Sequence, residues 1–275
     1  MEPSWRRKID RAEHHLRDFE SRVAPLRERR GYPVSEGFEA EGQERLWVCR
    51  VEIPEPDDPL LPIIAGDLMF NLRSALDHLA HAMVRRATWQ TAFPVFTVDP
   101  NERDATTGDY LHPEDRDRWH GITKGFPKRA MPIVERVQPY HFKRHGRDPR
   151  YGALALLRAF QNADKHRRLA FIVSGLENPV MWYWTGLVTK KRVPYERIPE
   201  DGRLPPSTVV YRGSQPLPPH MHMEAEGVLD VMIGDGTSRE YYSCPGIFEG
   251  MVRDVRGILD RLEPYATHLP PPPRR

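Results

Sequence analysis

The sequence predicts an α+β fold: a bundle of about four main helices with an antiparallel β-sheet formed mainly by residues 168–235. Three observations carry that prediction. Apolar residues recur at helical spacing over 4–24, 59–86, 148–167 and 245–263. Between the third and fourth of these stretches the pattern changes to short β-branched and aromatic runs bounded by turn formers. No internal repeat is visible, so 1–275 reads as a single domain that ends in a mobile tail, 268–275.

The elements follow in chain order. Trp5, Ile9, Ala12, Leu16, Phe19, Val23 and Leu26 lie alternately four and three residues apart, the stripe of a helix lying along another helix. Pro25 is expected to end that helix, because proline removes a backbone donor. "ERLWVCRVEI" (44–53) alternates as a strand, and "PEPDDP" makes a turn into the second helix. Residues 87–130 read mostly as loop, followed by a short helix near 128–137. In "DPRYGALALLRAFQNADKHR" (148–167), Asp148 and Pro149 suit a helix start, and Leu154, Leu157 and Phe160 share a face. "RLAFIVSG", "VMWYWTGLV", "STVVYR" and "HMHMEAEGVLDVMI" read as strands separated by turns, which favours antiparallel pairing. Ser243 and Pro245 suit the start of the last helix, whose stripe runs from Ile247 to Leu262.

Composition narrows the function classes. Hydrophobic residues make up 39% of the chain, enough for a core. The net charge of +2 does not by itself imply a polyanionic partner. Only 7 of the 41 basic residues are lysine, an arginine excess that reads as genomic base composition. Cys49 and Cys244 have no partner nearby in sequence, which suits a reducing compartment. No run approaches the roughly 20 apolar residues of a membrane span, and "MEPSWRRKID" lacks the apolar core of a signal peptide. A cytoplasmic protein with no membrane partner and no cofactor is expected. No Gly-rich phosphate loop, dinucleotide fingerprint or nucleophile elbow is present.

The strongest chemical signal is "NLRSALDHLAHAM" (71–83) on the second helix. With Arg73 at the origin of a helical wheel, Asp77 falls at about 40° and His81 at about 80°. Asn71, Ser74 and His78 fall at about 100–160°, and the apolar residues fill the other half. This polar face holds no lysine or glutamate, so it is expected to look into a cleft or a partner rather than bulk water. An Arg73–Asp77 ion pair that only fixes packing is the competing expectation. A second element is "NADKHRR" (162–168), at a helix-to-strand junction. There Asn162, Asp164, Lys165, His166 and Arg167 gather donors, acceptors and an imidazole. Asp164 is unfavourable at a helix C-terminus unless paired, and a pairing with Arg73 would explain it.

"GDLMFNLRSALDHL" and "QNADKHRRL" resemble the paired signatures of an uncharacterised bacterial family, over about residues 60–170. Separately, Arg73-x4-His78 resembles the R-x(4–6)-H pattern of HEPN-domain ribonucleases. That resemblance implies a dimeric helical bundle that cuts RNA without a metal. His78 would be the general base or acid, and Arg73 would stabilise charge on the phosphorane. Here the pattern lies on the second helix, whereas HEPN proteins carry it late in the bundle. Arg73 and His78 are also about 140° apart on a straight helix.

Other groupings are less specific. Asp77 and His81, with His166 or Asp164, could hold a metal ion, but no H-E-x-x-H or C-x-x-C spacing supports this. His220 and His222 share one face of a strand. Residues 124–150 hold eight lysines or arginines against two acids, interleaved with Tyr140, His141, Phe142 and His145. Lys143 and Arg144 lead that segment as candidate RNA contacts. The sequence therefore predicts a HEPN-like, metal-independent RNA endonuclease, in the manner of a toxin or defence effector. Its catalytic set is Arg73, Asp77, His78 and His166. Asn71, His81, Asn162, Asp164, Lys165, Arg167, Lys143 and Arg144 are its binding set, and RNA and a second copy of the chain are the expected partners. The alternatives are a non-enzymatic ligand- or protein-binding module using the same face, and a metal-dependent hydrolase.

Overall fold

The stripe on the first helix decides its packing. In a computed structural model describing residues 2–29, 31–41, 44–165, 171–185, 191–192, 203–204, 209–216, 221–234 and 241–266, Ser4–Glu28 forms α1. It buries Trp5, Ile9, Ala12, Phe19 and Val23, with Leu16 and Leu26 packed at the edge. α1 lies along α2 (Leu60–Met83) and α6 (Cys244–Leu262). Its start is fastened to the end of α6. Arg6 donates to Asp260 at 2.7 Å and to Glu263 at 2.5 Å, and the Trp5 indole N–H donates to Glu263 at 3.0 Å. Pro25 does not end α1, which continues through it to Glu28. A proline in the last turn removes one backbone bond and leaves the turns before it intact.

The fold is α+β. Two strands precede α2: β1 (Gly31–Glu41) and β2 (Glu44–Val51), the latter inside the strand expected over 44–53, form an antiparallel hairpin. β1 carries no strand signal in the sequence because Pro33, Gly37 and three glutamates break its alternation. After α2 come α3 (Pro113–Thr123), α4 (Met131–Arg136) and α5 (Ala153–Lys165). α3 lies where the sequence predicts mostly loop. Its apolar content is slight, and it buries only Trp119 and Thr123. α5 starts at Ala153, not at Asp148. Asp148 instead accepts from the Arg150 N–H and caps the 3₁₀ turn Pro149–Tyr151.

The remaining strands are β3 (Phe171–Thr185), β4 (Lys191–Arg192), β5 (Arg203–Leu204), β6 (Val209–Gly213), β7 (Met221–Gly234) and β8 (Tyr242–Ser243). The sheet order is β4-β3-β7-β1-β2-β6, with β5 on β3 and β8 on β7, all antiparallel. Sequence reading separated 168–175 from 180–188 by a turn; β3 instead runs through both. Its register shifts between Glu177 and Val180, where a bulge accommodates Pro179. β7 packs on α1 and α6 and buries Val231 and Ile233 with the helices. Tyr32, Val51, Ile53, Ala225 and Leu229 form a smaller apolar cluster on the sheet. Ser243, expected to cap α6, donates to Asp230 at 3.0 Å instead and so ties α6 to β7.

One buried group in this core titrates. His15 lies inside α1, and its burial, with the charge of Arg11, lowers its pKa. The unfolded chain therefore takes up this proton first, so stability is full above about pH 6.5 and is lost as pH falls toward the depressed value. The melting temperature is expected to drop between about pH 7 and 5, and His15→Gln should flatten that drop. A His15→Gln protein with the wild-type pH slope would assign the slope to other groups.

Candidate functional site

The polar face of α2 meets a buried piece of irregular chain. Phe93, Pro94, Val95 and Phe96 are all buried, yet they belong to no helix or sheet. Buried backbone polar groups outside regular structure must find other partners. Here side chains supply most of them. Asp77 Oδ1 accepts from the Phe93 N–H at 2.9 Å, and Arg73 Nη2 donates to the Phe93 carbonyl at 2.8 Å. Gln138 donates to the Pro94 carbonyl at 3.0 Å and accepts from the Phe96 N–H at 3.0 Å. Arg158 Nη1 donates to the Val95 carbonyl at 2.7 Å. The Tyr140 N–H completes the set on the Phe96 carbonyl at 3.2 Å.

Arg73 and Asp77 are thus one device. They pair with each other, Nη2 to Oδ1 at 2.9 Å and Nε to Oδ2 at 3.1 Å, and together hold both backbone groups of Phe93. This geometry explains both residues without chemistry. α2 packs against α5, and both reach Phe93–Phe96. The residue that joins them is Arg158, which sequence reading passed over. Its signal was an arginine inside the apolar run "ALALLRAF". Arg73 spends its donors on Asp77 and Phe93; the side chains of Asp164 and Lys165 lie outside the described part, as do residues 166 and 167 entirely. Asn162 is exposed on α5.

The other flank of α2 faces α1. Asn71 is buried, donates to the Asp67 carbonyl at 2.7 Å and accepts from Lys8 Nζ at 3.3 Å. Lys8 also lies 5.2 Å from the centre of the exposed Phe70 ring. His78 Nδ1 is 3.0 Å from Ser4 Oγ, and its Nε2 is 3.5 Å from Ser74 Oγ. Partial burial and the nearby Lys8 lower the His78 pKa. Arg73 and His78 therefore engage opposite neighbours, the 93–96 segment and α1, and do not converge within one chain. His81 is exposed. Among the described residues no three His, Cys, Asp or Glu side chains are grouped to hold a metal, and both Asp77 oxygens are engaged. Residue 220 and the His222 side chain lie outside the described part. Burial pushes the Cys49 thiol up to about 11 and raises that of Cys244 as well, so neither is a ready nucleophile.

The basic segment forms a second cluster. The 3₁₀ turn Pro139–His145 follows α4. Arg136, His141, Arg144 and His145 line an open cavity of about 400 Å³ with Pro132 and Glu135. A second cavity, about 200 Å³, shares Arg136 and His141 and has Phe142, Ile258, Asp254 and Arg261 on its wall. Phe142 can sit there only because residue 152 is glycine, where a Cβ would stand 2.6 Å from Phe142 Cε2. Lys143 points elsewhere, 4.0 Å from Glu102. Of the two residues expected to lead RNA contacts, only Arg144 lines the cleft.

Gln138 is the most exacting partner of the 93–96 segment. It is buried and makes three bonds, the third to the Val134 carbonyl at 2.9 Å. Gln138→Leu keeps the volume but strands buried backbone groups, at about 1–3 kcal/mol for each group left unpaired. A loss of at least about 3 kcal/mol in urea unfolding is expected. A loss under about 1 kcal/mol would mean that the segment repacks or is reached by water.

Compared with protein-family models, curated proteins and solved structures, the chain matches none.

Proposed function

We propose that this protein binds single-stranded RNA through the cleft beside Pro139–His145. One observation carries the reading: Arg136, His141, Arg144 and His145 converge on one open cavity, opposed there only by Glu135. Guanidinium groups so placed supply the phosphate contacts that dominate nucleic-acid affinity. The adjoining cavity adds an apolar wall of Val137, Phe142 and Ile258 with Arg261 at its side. A single strand presents unstacked bases to such a wall, whereas a duplex does not.

The test is fluorescence anisotropy with a labelled oligoribonucleotide of about 12 nucleotides, over a salt series. Replacing both Arg136 and Arg144 with alanine is expected to weaken binding at least about tenfold. The slope of log affinity against log salt should fall by about 1.4, for two contacts at about 0.7 each on a single strand. Unchanged affinity and slope would sink the reading.

A second reading, a HEPN-like ribonuclease, is favoured by His78. Its imidazole is exposed, and its lowered pKa keeps it neutral near pH 7, the form a general base requires. Arg73 is already committed to Asp77 and Phe93, so a second copy of the chain or another arginine would have to hold the phosphate. Incubation of total RNA with EDTA present separates the readings. Cleavage by the wild type and not by His78→Ala supports catalysis through His78. Equal cleavage by both excludes it.

A further inference from the structure

Arg158 is a partly buried cation with one hydrogen bond, to the Val95 carbonyl, and among the described residues no carboxylate lies within 4.0 Å of it. The side chains around it are also cationic. Arg73 is anchored on the Phe93 carbonyl, two residues from the Arg158 anchor, which places the two carbonyls no more than about 7 Å apart. Arg118 stands with its guanidinium carbon 5.6 Å from the Phe96 ring centre and has no ion pair among the described residues. The acids nearby are Asp77, spent on Arg73, and Asp115, whose field reaches Arg158 without a bond. Burial, Arg118 and Arg73 together lower the Arg158 pKa. A partly buried guanidinium with one hydrogen bond among the described residues, on the carbonyl next to the ring that Arg118 faces, is completed by an anion at low cost.

From this geometry we infer that Arg118 and Arg158, backed by Arg73, form a binding site for a phosphate group against the Phe93–Phe96 segment. Two guanidinium forks match the tetrahedral oxygens of phosphate, and the donors of Arg158 that Val95 does not use are available to it. The site is distinct from the cleft beside Pro139–His145 and does not rest on the RNA-binding reading.

The probe is inorganic phosphate on the full chain, compared with chloride at equal ionic strength. A saturable rise in melting temperature with phosphate alone is expected, since a ligand of the folded state stabilises it. Arg158 also holds Val95, so the informative variant is Arg118→Gln, which removes an exposed side chain that makes no hydrogen bond or ion pair among the described residues. Arg118→Gln should weaken phosphate binding, read by calorimetry, at least about tenfold. Arg144→Gln, in the other cleft, should leave it unchanged. No rise beyond chloride, or wild-type affinity in Arg118→Gln, overturns the assignment; loss in Arg144→Gln alone moves the anion to the other cleft and overturns it equally. Methyl phosphate and dimethyl phosphate then separate the sources, since a site for a terminal phosphate takes only the first and a backbone site takes both.

Discussion

A length of chain that is buried but belongs to neither helix nor sheet imposes an unusual requirement on its neighbours. Phe93–Phe96 brings two phenyl rings, a proline and a valine into the core. Their apolar surface favours burial, at about 25 cal/mol per Å² removed from water. The carbonyls and N–H groups between them do not favour it. Each would cost more than a typical side-chain contact returns if left unpaired. The chain resolves the conflict by sending Arg73 and Asp77 from α2, Gln138 from the turn after α4, and Arg158 from α5 to the same four residues. Three helices distant in sequence are positioned around one strip of backbone. Aromatic packing reinforces it, with Phe96 edge-on to Trp119 of α3 at 5.5 Å.

That constraint explains the choice of residues on α2. A carboxylate alone could take the Phe93 N–H, but it would bring an uncompensated charge into a partly dry site. Arginine neutralises it and has donors left for the Phe93 carbonyl. Lysine, a point charge on a flexible stem, could not hold the carboxylate at two points and the carbonyl at once. The side chains are 17% and 31% exposed, so the pair escapes the full desolvation penalty of a core ion pair while still excluding water from the backbone it covers.

Legibility in the sequence follows the same physics. The α1 stripe, the ends of α2 and α6, and the long strand β7 were readable, because burial of one face writes a period into the chain; β3 was readable only in two pieces. β1 and α3 were not, because neither has a continuous buried face. Arg73, Asp77 and their i, i+4 relation were visible too, and so was the expectation that a polar stripe without lysine or glutamate faces something. What it faces was hidden, since Phe93–Phe96 has no period and its partners are non-local. Gln138 and Arg158 carry no motif; each is intelligible only once the backbone group it serves is known. The cleft was half visible, as a basic and aromatic segment. Its division into inward Arg144 and outward Lys143 depends on a 3₁₀ turn whose pitch no residue pattern announces.

The near-neutral net charge bears on that cleft. The acidic stretch 99–118 and the basic stretch 124–150 are neighbours in space as well as in sequence. Glu102 lies 4.0 Å from Lys143 and 3.7 Å from His112, and burial, with the charges of Glu135 and Asp99 adding to it, raises the Tyr140 pKa. Part of the basic segment is therefore cancelled locally by the acids that precede it. Arg136, Arg144 and two imidazoles line the cleft, opposed there by Glu135. A chain of net charge +2 can thus still present a locally basic cleft, because some of its acids are paired with cations on the other side of one short turn. The sum over the sequence is a poor guide to the field at any one surface. What matters is which cations are left unpaired after the acids nearest to them in the fold have been satisfied.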